Sequence, residues 1–194
     1  LKIPRDMLKA ARLAVEGTDF PCDMGTFNKE HFVYIAAFGI FTDVAYSTNQ
    51  NIKNVLGHMA YLLEGMKRLT NVPSCHMRIC SRELEAEGDF IFGMITNSRS
   101  VGGFKSIIGR KVQFDDGVFE ATFIKMPKNA LELQEILGAI LGKEIDSRYM
   151  YSFRTAELCV EADSAVPWTL DGEYGGEWNR AVIRNHQKAL KIRC

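Results

Sequence analysis

The sequence predicts a mainly β fold of the α+β class, a β-sandwich-like domain with a few inserted helices. Several short segments alternate apolar and polar residues or are rich in aromatic and branched residues, and glycine or polar turns bound them. Only a few stretches show helical periodicity. Because each sheet has to cover its apolar face with another layer, many short strands indicate packed sheets.

The predicted helices are few and separate. Residues 1–17 form the first, since Pro4 suits a first helical turn and Gly17 a left-handed stop. An amphipathic helix follows at 51–69, and a short one at 129–140 begins with a capping pattern. The apolar stripe of the first helix consists of Met7, Leu8, Ala11 and Val15.

The predicted strands lie between these helices and after them. Residues 32–38 are almost continuously apolar, which favours a strand buried on both faces. Further strand-like segments are residues 75–85, 90–96, 118–126, 154–161 and 165–170, with two short extended pieces within 180–192. Antiparallel pairing is the simplest arrangement for strands so closely spaced along the chain.

Composition narrows the classes of function. The 24 basic and 24 acidic residues cancel, so no net field attracts nucleic acid. The five cysteines are scattered without a CxxC pair, which predicts reduced thiols in a cytosolic protein and makes a zinc site at Cys75, His76 and Cys80 the less favoured interpretation. No apolar run reaches the roughly 18 residues of a membrane span, so we expect only peripheral membrane contact.

The first candidate site is the glycine-rich segment from Asp171 to Gly176, which follows an apolar strand. Asp171 and Glu173 could be held at the strand end, where one accepts a proton from a hydroxyl and the other orients that hydroxyl or holds a metal-bound water. The alternative is an ordinary turn in which Asp171 bonds to nearby backbone amides.

The second candidate site is the segment from Gln113 to Val118. Adjacent carboxylates at Asp115 and Asp116 precede Gly117 and a strand with available carbonyls, an oxygen set that suits Mg²⁺. A solvated turn is the alternative. The polar loop at 97–104 could line a cleft, with Arg99 available to phosphate.

Three segments in this order resemble the bacterial type of diacylglycerol kinase catalytic family: residues 32–45, 96–117 and 171–176. In that family an apolar strand precedes a segment like Phe41-Thr42-Asp43, a helix, an asparagine-containing loop, a DDG and a DGE. The opening stretch with Ile3-Pro4 and Asp23-Met24-Gly25 is also similar to the family, just after its nucleotide-binding domain.

The resemblance implies an ATP-dependent kinase that transfers the γ-phosphate to the hydroxyl of diacylglycerol or a related lipid. It implies that Glu173 or Asp171 is the proton acceptor. It also implies a structural Mg²⁺ bound by Asp116 and by the carbonyls of Gln113 and Val118, with Asp115 facing an interdomain water network.

The resemblance also implies a division of labour between domains. Residues 1–17 would be a helix that packs on a missing α/β ATP-binding domain, and residues 18–194 a C-terminal, acceptor-side β-sandwich domain whose chain end could return to the ATP domain. The family's GGDGT motif is absent from residues 1–194, so we expect this polypeptide alone to be inactive.

Partners and localisation follow from the same resemblance. We expect ATP as co-substrate, a diacylglycerol-like membrane lipid as acceptor, a cytoplasmic protein transiently at the inner membrane surface, and a homodimer as one assembly. The alternative is a non-catalytic lipid-binding or interaction module, suggested by the absent nucleotide motif and the apolar stripe at 51–69. A carboxylate-based hydrolase would rest on the DGE turn alone.

Overall fold

A computed structural model of the chain describes residues 3–40, 73–99, 101, 112–141 and 148–194. The predicted helix at 51–69 and the segment at 41–43 therefore lie outside the described residues. The elements are α1 (Met7–Glu16), β1 (Asp19–Phe27), β2 (Glu30–Phe32), β3 (Ile35–Gly39), β4 (Cys75–Ser81), β5 (Glu85–Thr96), β6 (Phe119–Lys125), α2 (Ala130–Leu141), β7 (Met150–Thr155), β8 (Glu157–Leu170) and β9 (Glu173–Arg193).

The strands form one antiparallel sheet that closes on itself. Its order is β2-β1-β9-β8-β3-β5-β6-β7, and β4 pairs with both β5 and β8. Strand β3 also pairs with both β5 and β8. Strands β3, β5, β4 and β8 therefore form a closed ring in the middle of the sheet. The predicted mainly β class with antiparallel pairing is confirmed.

An aromatic core joins strands that are far apart in the sheet. Phe32 of β2 and Phe119 of β6 lie 5.3 Å apart between ring centroids, although five strands separate β2 from β6 in the sheet order. Trp168 of β8 lies 4.9 Å from both Phe27 and Phe38. The two halves of the sheet therefore face each other across a shared core, which confirms the sandwich-like prediction.

A second apolar cluster covers the other face of the sheet. Leu133 and Ile136 of α2 belong to it, together with Ile35 and Ala37 of β3. Ala36 and Phe38, the alternate residues of β3, belong to the aromatic core. Strand β3 is thus buried on both faces, as its continuous apolar sequence predicted.

Helix α1 differs from its prediction at both ends. It begins after Asp6, whose carboxylate accepts the N–H of Lys9 at 2.9 Å, and Pro4 lies before the helix. Gly17 caps the end of the helix as predicted, but it is extended at φ −67° rather than left-handed. Met7, Leu8 and Val15 are 86%, 83% and 78% exposed, so the described residues leave the apolar stripe uncovered.

Helix α2 begins as predicted. Asn129 Oδ1 accepts the N–H groups of Leu131 and Glu132, each at 3.0 Å, and Glu132 Oε2 accepts the N–H of Lys128 at 2.7 Å. The side chains of Asn129 and Glu132 therefore satisfy backbone donors that the first helical turn leaves free.

None of the helices in the described ranges has the length and apolarity to cross a bilayer.

Three predicted strand boundaries are wrong. Residues 32–38 divide into β2 and β3, residues 154–170 rearrange into β7 and one long β8, and the two pieces at 180–192 belong to the single strand β9. Register shifts in the β8–β9 pairing, between Glu161 and Val166 and between Pro167 and Thr169, keep β8 continuous.

Candidate active site

The DGE segment forms the hairpin turn between β8 and β9. Asp171 and Gly172 are its two central residues, with φ of 53° and 95°, and Leu170 pairs with Glu173 across the ladder. Both values lie in the left-handed region, which Asp tolerates and glycine adopts without strain, as a two-residue hairpin of the primed type requires. Glu173 is therefore the first residue of β9.

The Asp171 carboxylate is occupied by backbone donors. Its Oδ2 accepts the N–H of Val33 at 2.7 Å, and its Oδ1 accepts those of Tyr34 and Ile35 at 2.8 and 2.9 Å. The Asp171 N–H in turn donates to Ile35 O at 2.8 Å. Asp171 thus fastens the hairpin turn to the connection between β2 and β3, and this anchoring also breaks the predicted strand at 32–38.

The Glu173 carboxylate is not used in this way. Glu173 is exposed, and among the described residues it has no hydrogen bond or ion pair through its side chain. Of the two acids that the sequence could not distinguish, one is therefore a structural anchor and the other is free to contact a ligand.

The DDG segment is held by ion pairs and backbone contacts. Asp116 Oδ2 pairs with Arg154 of β7, while Oδ1 accepts the N–H of Val118 in a long 3.4 Å contact. The carbonyl of Asp115 accepts Gln187 Nε2 at 3.0 Å, and its carboxylate lies 3.9 Å from Lys188 Nζ. The segment is thus tied to β7 and β9.

Asp23 of β1 organises this corner, and the sequence did not single it out as a site residue. Its side chain is fully buried, Oδ2 accepts the N–H of Gly117 at 2.7 Å, and Oδ1 accepts that of Lys188 at 2.8 Å. Gly117 and Lys188 both have positive φ, 82° and 55°, so one buried carboxylate fixes a glycine turn and a left-handed lysine, of which only the lysine is strained. The feature of the sequence that could have identified Asp23 is the occurrence of an acidic residue within the apolar stretch 20–27.

Asn97 connects the DDG corner to the β2–β3 corner. Its Nδ2 donates to the carbonyls of Asp23 and Phe114 at 3.3 and 3.2 Å, and its backbone N–H donates to Tyr34 O at 3.1 Å. Arg99, two residues on, is exposed, donates to Val112 O and stacks over the Phe114 ring at 5.2 Å. Its predicted contact with phosphate stays a prediction.

The register places the two motifs at the same end of the sheet. Asp171 bonds to Ile35 of β3, which pairs with Thr96 of β5, which pairs with Glu120 of β6. Strands lie about 4.8 Å apart, so β6 is only about 10 Å from β3. The DGE turn and the segment that leads into β6 at Gly117 therefore lie at the same end of the sheet.

Glu120 is a further buried acid beside the DDG corner. It pairs with Arg154 at 3.3 Å through Oε1, while Oε2 is buried and has no hydrogen-bond partner among the described residues. Burial raises the pKa of Glu120 to about 7, and the Arg154 guanidinium only partly opposes this. Arg154 therefore serves two carboxylates, those of Asp116 and Glu120.

Comparisons with known proteins agree with this architecture, although no family model matches the chain. A diacylglycerol kinase of Bacillus subtilis is 30% identical over 177 residues, 91% of this chain and 58% of that protein. A diacylglycerol kinase of Staphylococcus carnosus is 28% identical over 178 residues, again 91% of this chain and 58% of the relative. The chain thus spans somewhat more than half the length of these relatives.

Solved structures show the same fold. A diacylglycerol kinase structure from Bacillus anthracis covers all of this chain with a TM-score of 0.67 at 16% identity, the match spanning 60% of that chain. Another B. anthracis structure, described as a candidate diacylglycerol kinase, gives a TM-score of 0.72 at 21% identity over 63% of its length.

The fold is a closed antiparallel sheet with a carboxylate-bearing hairpin at one end. Over 91% of its length the sequence is similar to bacterial diacylglycerol kinases, which supports the bacterial diacylglycerol-kinase-like lipid kinase family for this chain.

Proposed function

We propose that this chain is the acceptor-side part of an ATP-dependent kinase that phosphorylates the hydroxyl of diacylglycerol or a related lipid. The observation that carries the proposal is the division of labour at the hairpin turn. Asp171 is fixed by three backbone N–H groups, and this positions the next acid, Glu173, with its carboxylate free. A free carboxylate on a rigid turn suits general-base chemistry on an alcohol.

In the proposed reaction Glu173 accepts the proton of the lipid hydroxyl while the hydroxyl oxygen attacks the γ-phosphorus of ATP. The bond between that phosphorus and the oxygen bridging to the β-phosphate breaks, and ADP leaves with the electron pair. Asp171 keeps the turn in place and takes no part in proton transfer. Positioning and charge neutralisation supply most of the rate in phosphoryl transfer, so the base contributes only a share.

Mg²⁺ is part of the proposal at the DDG corner. The Asp116 carboxylate and the carbonyls of Gln113 and Val118 are oxygen donors of the kind that Mg²⁺ prefers, and the loosely held Asp116 Oδ1 fits this role in donor type. Arg154 on Oδ2 would share the same carboxylate with the ion. Bound there, Mg²⁺ would fix the loop that contains Asp115 against a neighbouring domain.

ATP binding is assigned to a domain outside this chain. The exposed stripe of α1, with Met7, Leu8 and Val15, is the surface on which we expect that domain to pack. The membrane-embedded acceptor would be reached by peripheral contact at the inner membrane surface. A homodimer stays part of the same proposal.

The test uses the whole protein that includes the nucleotide-binding domain, with radiolabelled ATP and diacylglycerol in mixed micelles. Glu173→Gln should lower kcat by about 10²- to 10⁴-fold, the usual contribution of a general base. Glu177→Gln on the same strand is the matched control, since that exposed residue lies away from the turn, and it should keep wild-type turnover.

Two results would reject the assignment. Full turnover by the Glu173→Gln variant would remove Glu173 as the base. A whole protein that binds diacylglycerol vesicles in flotation but never consumes ATP would favour the non-catalytic lipid-binding module instead.

A further inference from the structure

Two of the five cysteines lie directly opposite each other in the sheet. Cys80 of β4 pairs with Cys159 of β8, between the flanking pairs Ile79 with Val160 and Ser81 with Leu158. Facing residues of an antiparallel ladder have Cα atoms about 4.5 or 5.5 Å apart, depending on the type of pair. Disulfides use Cα separations of about 4.4 to 6.8 Å, so either spacing allows an S–S bond.

Both thiols project from the outer face of the sheet. On β4, Met77 and Ile79 are buried while His76 and Arg78 are exposed, so Cys80, which alternates with the buried residues, shares the exposed side. On β8, Leu158 and Val160 are buried, which places Cys159 on the outer side as well. Both cysteines are free thiols and partly exposed, so a small reagent can reach them.

Arginines flank the pair. Burial raises the pKa of the Cys159 thiol, whereas the Arg180 guanidinium, which hydrogen-bonds to it, acts in the opposite direction. Arg78 lies two residues before Cys80 on the exposed side of β4. The pKa of Cys159 stays raised overall, so alkaline pH favours its thiolate, the species that attacks a disulfide.

We propose that Cys80 and Cys159 form a dithiol that a low-molecular-weight disulfide, such as oxidised glutathione, converts to a cross-strand disulfide. One protein thiolate attacks the small disulfide, expels one small thiolate and forms a mixed disulfide. The second protein thiolate then attacks the protein-side sulfur and expels the other small thiolate. Two protein thiols are thereby oxidised, one small disulfide is reduced to two thiols, and the protons pass to these products.

The bond would lock β4 to the strand that carries the active-site turn. Strand β8 runs from Glu157 to Leu170, directly before Asp171, and Cys159 is near its start. The disulfide would close a loop of about 80 residues, from Cys80 to Cys159, across the middle of the sheet. Oxidation of this pair tests the pairing of β4 with β8. Its outcome does not depend on whether the protein is a kinase.

The test uses the full 194-residue chain, reduced, desalted and incubated under native conditions at pH 8 with oxidised glutathione. After alkylation and trypsin digestion, mass spectrometry should find the peptide 79–82 linked to the peptide 155–180, two hydrogens lighter than their sum. The link should be absent from Cys80→Ser and Cys159→Ser. It should persist in Cys75→Ser, whose thiol packs against the aromatic core from the same strand.

The folding of each reduced variant is checked by its Tm, so that a missing link is scored only in a folded chain. The proposal is wrong if folded wild-type chain accumulates only mixed disulfides with glutathione at these positions. It is also wrong if Cys80 or Cys159 links preferentially to another cysteine.

Discussion

At the scale of single residues, Asp171 is expected to act on stability. Asp171→Asn removes the charge from an acceptor of three backbone N–H groups, so we expect the free energy of unfolding to fall by about 1–3 kcal/mol. Asn tolerates the positive φ of 53° at this position, which isolates the loss of the charge and of one acceptor oxygen. Urea unfolding of the 194-residue chain followed by tryptophan fluorescence measures it.

The matched variant is Glu173→Gln, which should change the same free energy by less than about 0.5 kcal/mol because the exposed Glu173 side chain has no partner in the described part of the chain. An equal loss of stability in the two variants would contradict the separation of anchor from base.

Glu120 is expected to make stability depend on pH. An acid whose folded pKa is raised from 4.5 to about 7 binds more protons in the folded state than in the unfolded state between these values. Stability is therefore highest below about pH 4.5 for this group and falls as pH rises through 7, by roughly 3 kcal/mol in total. Urea unfolding at several pH values between 5 and 8 measures this decrease.

The variant Glu120→Gln supplies the control for this pH dependence. Gln resembles the protonated acid, so the variant should unfold with a higher free energy than wild type at pH 8 and with little difference at pH 5. Parallel pH profiles for the two proteins would show that another group causes the decrease.

The residues that local sequence patterns identified are those that lie next to glycines. Asp171, Glu173, Asp115 and Asp116 were candidates because turns with glycine are visible along the chain. Asp23, Glu120 and Arg154 were missed, since their importance comes from contacts with residues distant in sequence, such as Gly117 and Asp116. Such contacts depend on strand register, which a single sequence specifies only weakly.

At the scale of elements, the existence of strands was predictable and their ends were not. The predicted strands at 154–161 and 165–170 left a break between them, but β8 continues through it because a register shift in its pairing with β9 absorbs the irregularity. Conversely, the apolar run at 32–38 hides a break, since the Asp171 carboxylate takes the N–H groups of Val33 and Tyr34. Amino-acid composition alone indicates neither the continuity of β8 nor the break between β2 and β3.

The surroundings of two glycines, one in β5 and one in α2, predict opposite effects on stability when each is replaced by alanine. A Cβ at Gly93 would lie 2.2 Å from the Phe38 ring and 2.8 Å from the Phe123 ring in the aromatic core, so Gly93→Ala should cost about 1–3 kcal/mol. A Cβ at Gly138 in α2 meets nothing within 4 Å, and Gly138→Ala should stabilise by about 0.5–1 kcal/mol through helix propensity. Thermal unfolding of both variants measures the two shifts, and shifts of the same sign would contradict the packing.

At the scale of the whole molecule, α1 is the element whose exposed apolar face the described residues do not account for. It has no buried residue, and the chain just after it is bound to the end of β9, where Thr18 N–H donates to Cys194 O and Cys194 N–H donates to Thr18 O. An amphipathic helix gains little stability unless its apolar face is covered. The relatives are longer than this chain, which fits a covering domain contributed by the rest of such a protein.

The role of α1 as a packing surface can be tested by comparing the 194-residue chain alone with the whole protein. Leu8→Lys should change the free energy of unfolding of the 194-residue chain by less than about 0.5 kcal/mol, because Leu8 is already 83% exposed. In the whole protein the same change would bury a lysine in the proposed interface, so the Tm should drop by several degrees and kinase turnover should fall.

Glu16→Lys is the control, since it also adds positive charge to α1 but on a different side of the helix from the stripe. It should leave the Tm and turnover of the whole protein unchanged. If Leu8→Lys destabilises the chain alone as much as the whole protein, then α1 is stabilised within the acceptor-side domain itself and does not serve as the surface for a nucleotide-binding domain.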